Sequence, residues 1–232
     1  MRPLQRRPDD GAPSPCHTSL LHNGLAHPMT ARFWIPAFVA ALLLGAGTAS
    51  ADPKVVRALG EDLPQPGAQL EDVRTMKLAP GRRIVCESDL EKPKLANPGL
   101  MQAQRSRGAD HVRRCAVFAD DGNGTWALAG VPTVFGEARL WLIFVEQGSQ
   151  GRYRLAQFSL WGRNSEWDKA AGLLGAMLGQ PGTQAERMLG WKDEQHETLM
   201  FIDDKYPDQF AIAVGDVRLR KLMRSPGTSN RE

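Results

Sequence analysis

Apolar and polar residues alternate in short runs along most of this chain, and one stretch alone repeats them at helical spacing. Arg114 to Ala119 and Thr125 to Val131 are β-prone runs flanking Asp120-Asp121-Gly122-Asn123-Gly124, and an Asn-Gly between two such runs predicts a hairpin. Glu137 to Gln147 is apolar on both faces at its centre, which predicts a central strand. Tyr153 to Trp161 follows a Gly-rich turn. Together these four runs predict an antiparallel meander. Ile84 to Cys86 is a shorter strand upstream, after the Pro80-Gly81 turn. Lys54 to Leu59 predicts one helical turn in an otherwise loose arm, 52–69.

The helical stretch is Asn164 to Leu178. Trp167, Ala171, Leu174 and Leu178 form one apolar face, and Ser165-x-x-Asp168 resembles a capping box. Gly179 suits a left-handed cap, and Pro181 blocks continuation. Gly172 and Gly175 predict close approach to a sheet. Three strand candidates follow: Glu186 to Trp191, Thr198 to Asp203 and Gln209 to Val214. Asp216 is placed to cap a basic helix, Val217 to Arg224. Strands, then a helix, then strands and a last helical turn read as α+β, one antiparallel sheet with one main helix across one face.

Arg32 to Asp52 has the three parts of a secretory signal: a basic residue, the apolar run Phe33 to Leu44, and Ala49-Ser50-Ala51 as a cleavage site. The expected organisation is 1–28 as an upstream extension or disordered segment, with translation from Met29. A signal peptide at 29–51, one exported domain at 52–225 and a disordered tail at 226–232 complete it. The apolar run is short of the ~20 residues that a membrane helix needs, and no cysteine follows it for lipid attachment, so no span or lipid anchor is expected in the mature chain. The expected compartment is the bacterial periplasm or the exterior.

The chain carries 29 Lys+Arg against 26 Asp+Glu. Residues 1–51 hold four and two of these, leaving 25 against 24. So even a balance gives no field to draw in nucleic acid. Cys86 and Cys115 are the two cysteines left after cleavage. Export favours a disulfide between them over two buried thiols. The bridge would close a loop of about 30 residues and contribute roughly 3–4 kcal/mol. The polar stretch Glu91 to Gly108 would be an excursion held at both ends by it.

Candidate chemistry is thin. Arg105, Arg107, Arg113 and Arg114 surround His111 and are the best site for an anionic ligand, although the bridge would also bring them to Glu87 and Asp89. Asp193 to Glu197 lacks the H-E-x-x-H spacing of zinc hydrolases and reads as a charged hairpin turn. Asp121 to Pro132 lacks the bidentate Glu of a calcium loop. No G-x-S-x-G occurs, and no metal or cofactor is expected. Of the tryptophans, Trp141 and Trp167 are expected in the core, and Trp161 and Trp191, at strand ends, are expected to be exposed.

Phe158 to Ile202, with its helix ending in Leu178-Gly179-Gln180-Pro181 and its strands at Trp191 and Thr198, resembles a module of small exported proteobacterial proteins. It is also similar to the helix-plus-sheet modules of outer-membrane assembly lipoproteins and β-lactamase-inhibitor proteins. The likeness covers about 45 residues, lacks the lipidated cysteine, and transfers no functional residue. The first expectation for function is a non-enzymatic binding or envelope-associated module with an unknown protein or envelope partner. The alternatives are an enzyme assembled from scattered residues and an anion binder using 105–114.

Overall fold

The computed structural model describes residues 53–102, 111–148 and 151–224. The upstream extension, the signal sequence, the 226–232 tail, Arg105 and Arg107 lie outside the described residues. Within them, strands dominate a mixed architecture of one 11-stranded sheet and four α-helices. The strands are β1 Arg82–Cys86, β2 Lys94–Leu95, β3 Val112–Asp120, β4 Thr125–Leu128, β5 Gly130–Thr133, β6 Gly136–Glu146, β7 Tyr153–Arg163, β8 Thr183–Ala185, β9 Met188–Lys192, β10 His196–Phe201 and β11 Gln209–Asp216. Their order is β2-β4-β3-β6-β7-β11-β10-β9-β8, with β1 on β3 and β5 on β6. Among the described residues only β2 and β4 pair in parallel.

The predicted meander is corrected at one point. β3 bonds directly to β6, from Val112↔Val145 to Ala116↔Trp141. Beyond that the two strands diverge, and the run between them divides at Ala129. Its first half, β4, follows β3 (Phe118↔Leu128), and its second half, β5, follows β6 (Val131↔Ala138). Gly130 is needed at the division, because a Cβ there would stand 2.3 Å from Glu137 Cγ. Arg82 ties the division down, donating to the Gly130 carbonyl and to Glu137.

Period-two alternation sends Leu140, Leu142 and Phe144 of β6 and Phe158 and Leu160 of β7 into the main core. On that face lie α1 (Pro53–Leu59), α2 (Leu70–Arg74) and α3 (Trp167–Leu178), which add Val56, Leu59, Val73, Ala170 and Leu174. Trp167 meets Phe210 of β11 edge-on at 5.9 Å.

Three expectations for the helix are corrected. The capping box does not form: residues 164–166 wind into a single 3-10 turn, so Ser165 lies inside the turn and Glu166 takes the cap position without a side-chain bond. Gly179 has the expected positive φ of 77° and its N–H donates to the Gly175 carbonyl, but its ψ of −157° leads out in an extended direction. Gly172 and Gly175 do not face the sheet, since a Cβ on either would meet nothing within 4 Å.

The opposite face is covered at its two ends. At one end α4 (Val217–Arg224) packs Leu219 against Val145 and Ala156. Asp216 caps it as expected, its Oδ1 accepting from Arg218 N–H at 2.7 Å and Leu219 N–H at 3.0 Å. At the other end Leu95 and Met101 pack over Ala116 and Phe118. Cys86 and Cys115 are bridged, as expected, at directly opposed positions of β1 and β3. Their Cα atoms are 4.0 Å apart, closer than the ~4.4 Å lower end of most bridges because the two residues face each other across one ladder.

The tryptophans exchange roles. Trp191 is buried against the main core, and its Nε1–H donates to the Gly179 carbonyl at 2.9 Å. Trp141 is half-buried and belongs to the opposite face, since alternation on β6 puts it with Arg139 and Ile143 rather than with Leu140 and Leu142.

Candidate binding groove

The arginine cluster read from the sequence is not one surface among the described residues. Arg113 and Arg114 are neighbours on β3 and point to opposite faces. Arg113 lies over the Tyr153 ring at 4.3 Å. Arg114 lies 5.4 Å from the Trp141 ring centroid, donates to the Leu100 carbonyl at 2.8 Å, and sits 3.7 Å from Glu87, which also accepts the Arg114 backbone N–H. The pairing with Glu87 weighed above is therefore present. His111 is occupied elsewhere, its Nε2 lying 3.1 Å from the Leu222 carbonyl oxygen.

The two acidic turns are equally local. Asp120 Oδ1 accepts from Gly122 and Gly124, and Asp121 Oδ1 accepts from Asn123 and Thr125, so both carboxylates are spent on their own hairpin. Asp193 Oδ1 accepts the N–H groups of Gln195 and His196 at 2.7 and 2.6 Å, and its Oδ2 lies 3.3 Å from His196 Nδ1. Burial pushes the Asp193 carboxyl up, but those N–H donors and the His196 ring outweigh it and hold it below its ordinary value. A cavity of about 440 Å³ opens beside this turn. No group of three metal-ligating side chains occurs among the described residues.

The larger feature lies on the sheet face opposite α3, between the two covered ends. Alternation on β6 sends Arg139, Trp141 and Ile143 to this face, and on β7 Ser159 and Trp161. Register sets Arg139 opposite Trp161 and Trp141 opposite Ser159. The next strand, β11, places Ala211 beside Trp161 and Ala213 beside Ser159. Small side chains there leave the indoles standing above the sheet. Tyr206 and Phe201 meet Trp161 edge-on at 6.0 and 6.2 Å. The result is a cavity of about 370 Å³ with an aromatic wall and Arg114 and Arg139 at its side. It continues into a second cavity of about 600 Å³ that shares Leu128, Arg139, Trp161 and Gln209 with it and adds Arg163, Glu166 and Asp208.

Arg139 stands at the junction of the two. Its side chain is exposed and makes no ion pair or hydrogen bond among the described residues. Ser159 and Tyr206 bring hydroxyls to the aromatic cavity; the Ser159 Oγ accepts from Gln157, and no histidine or carboxylate is among the described residues that line it. Flat apolar surface beside a free guanidinium is suited to holding a ligand with an apolar part and an anionic group. The signal for this site was the repeated pattern Arg139-x-Trp141 and Ser159-x-Trp161, legible only once the register is known. In comparisons with family models, curated proteins and solved structures, the chain matches none.

Proposed function

We propose that this chain is an exported, non-enzymatic α+β binding protein, with α3 as the main cover of one sheet face and the aromatic groove of the other as its binding surface. The signal-like sequence at Arg32–Ala51 supports export to a periplasm or exterior, and the Cys86–Cys115 bridge is compatible with it. The ligand has a flat apolar part and a carboxylate. The observation that carries this is Arg139, an uncommitted cation directly across the ladder from Trp161 where two cavities join. An apolar body stacks on the indoles, and the guanidinium takes a carboxylate in two parallel bonds.

Tryptophan fluorescence tests it. Titration with phenylpropionate should give a saturable change, its neutral amide a weaker one, and Arg139→Gln should erase the difference. A folded protein that responds to neither compound would overturn the reading. N-terminal sequencing of secreted material checks cleavage after Ala51. An enzymatic reading rests on the Asp193–His196 contact beside the 440 Å³ cavity. Hydrolysis of a broad ester panel that is lost in His196→Ala would favour it.

A further inference from the structure

The charges around the second cavity are of both signs. Arg139 and Arg163 come from β6 and β7, Glu166 from the 3-10 turn before α3, and Asp208 from the loop before β11. The backbone holds them at one end of the sheet. Arg163 follows Trp161 by two residues and is paired in register with Gln209, the neighbour of Asp208. Asn164 N–H donates to the Asp208 carbonyl at 2.8 Å, which binds the turn carrying Glu166 to the loop carrying Asp208. The cavity's third carboxylate, Glu137, is already taken by Arg82. None of the other four side chains forms an ion pair or hydrogen bond among the described residues.

Cations and anions that line one cavity without neutralising each other leave a place for each sign. A ligand that is only anionic satisfies the arginines and is repelled by Glu166 and Asp208; a cationic one meets the reverse. We infer that the ligand is a short zwitterionic peptide. Its carboxylate sits at Arg139 and Arg163, its ammonium at Glu166 and Asp208, and an apolar side chain on the Trp141–Trp161 wall. This rests on the binding reading of the groove and narrows it to one chemical class. The complementarity lies in the charges, and the aromatic wall supplies the apolar area.

Calorimetric titration of the purified protein with the dipeptide leucyl-phenylalanine, its N-acetyl form and its C-terminal amide decides it. The free dipeptide should bind about tenfold or more tighter than either blocked form, since each block removes a charge-assisted contact. Glu166→Gln with Asp208→Asn should remove the disadvantage of the acetylated form, and Arg139→Gln with Arg163→Gln that of the amide. Circular dichroism confirms that both double variants fold. Equal affinity for the three forms overturns the zwitterion, and a doubly blocked peptide that binds as well as the free one assigns the groove instead to an internal polypeptide segment. If no dipeptide binds while phenylpropionate does, the peptide inference fails and the groove reading stands. If phenylpropionate also fails, both fall.

Discussion

The indole N–H of Trp191, on β9, donates to the carbonyl oxygen of Gly179, the residue that ends α3. The bond fastens the last turn of the helix to the β8–β9 side of the sheet. It also uses one of the carbonyls that a helix C-terminus leaves without an internal partner. Trp191→Phe should keep most of the packing and lose the donor, costing about 1 kcal/mol. Trp191→Ala should cost about 3–5 kcal/mol through the cavity it leaves. Urea midpoints measure both; equal losses would show that the hydrogen bond carries the effect and the packing of the ring does not.

Two glycines should answer to alanine with opposite signs. Gly172 sits in α3 with open space where a Cβ would go, so Gly172→Ala should stabilise by about 0.5–1 kcal/mol. Gly215 sits in β11 with the Ala156 carbonyl oxygen 2.9 Å from that position and the Arg220 side chain folded across it. Gly215→Ala should therefore destabilise by roughly 1–3 kcal/mol. Thermal melts of the two variants should move in opposite directions.

Asp216 is buried and its carboxylate serves two N–H groups at the start of α4. Asp216→Ala should cost about 1–2 kcal/mol, and Asp216→Asn distinctly less, because the amide oxygen still accepts. Both losses should appear in the urea midpoint with an unchanged slope. A slope that falls would mean that α4 has detached in the native state.

The turn at Asp193 should lose support in acid. Its folded pKa lies below the ordinary value, so the charged form is the one the turn holds. That contribution is complete above the unfolded-chain pKa, near about 4, and disappears as pH falls through the lower folded value. Asp193→Asn should therefore be less stable than the native chain at pH 7, and the gap should narrow below about pH 4. A gap of the same size at pH 7 and pH 3 would assign the effect to turn geometry alone.

Local chemistry was legible in the sequence. The Asp120–Gly124 hairpin, the Asp216 cap and the run of strands each depend on residues within a few positions of one another. What the sequence concealed depends on register. Trp191 ends a strand and looks exposed, yet it is covered by the end of a helix 12 residues earlier. Thr183–Ala185 has no apolar residue of size and no alternation, and it becomes a strand only because β9 offers it an edge. Arg113 and Arg114 read as one cluster, and the pleat separates them. The groove was hidden for the same reason, since Arg139 and Trp161 are joined by a ladder, and the Asp208 loop is brought to them by the β7–β11 pairing.

β11 lies between β7 and β10, and the strand order offers no other route from the first half of the sheet to the β8–β9–β10 unit. It is also the last strand among the described residues. A chain folded only as far as residue 208 has a β9–β10 hairpin without its sheet partner and a β7 edge left bare. The two parts of the sheet are joined only when the eight residues of β11 occupy that slot. Until β11 is in place the folding chain has two open edges to shield, those of β7 and β10.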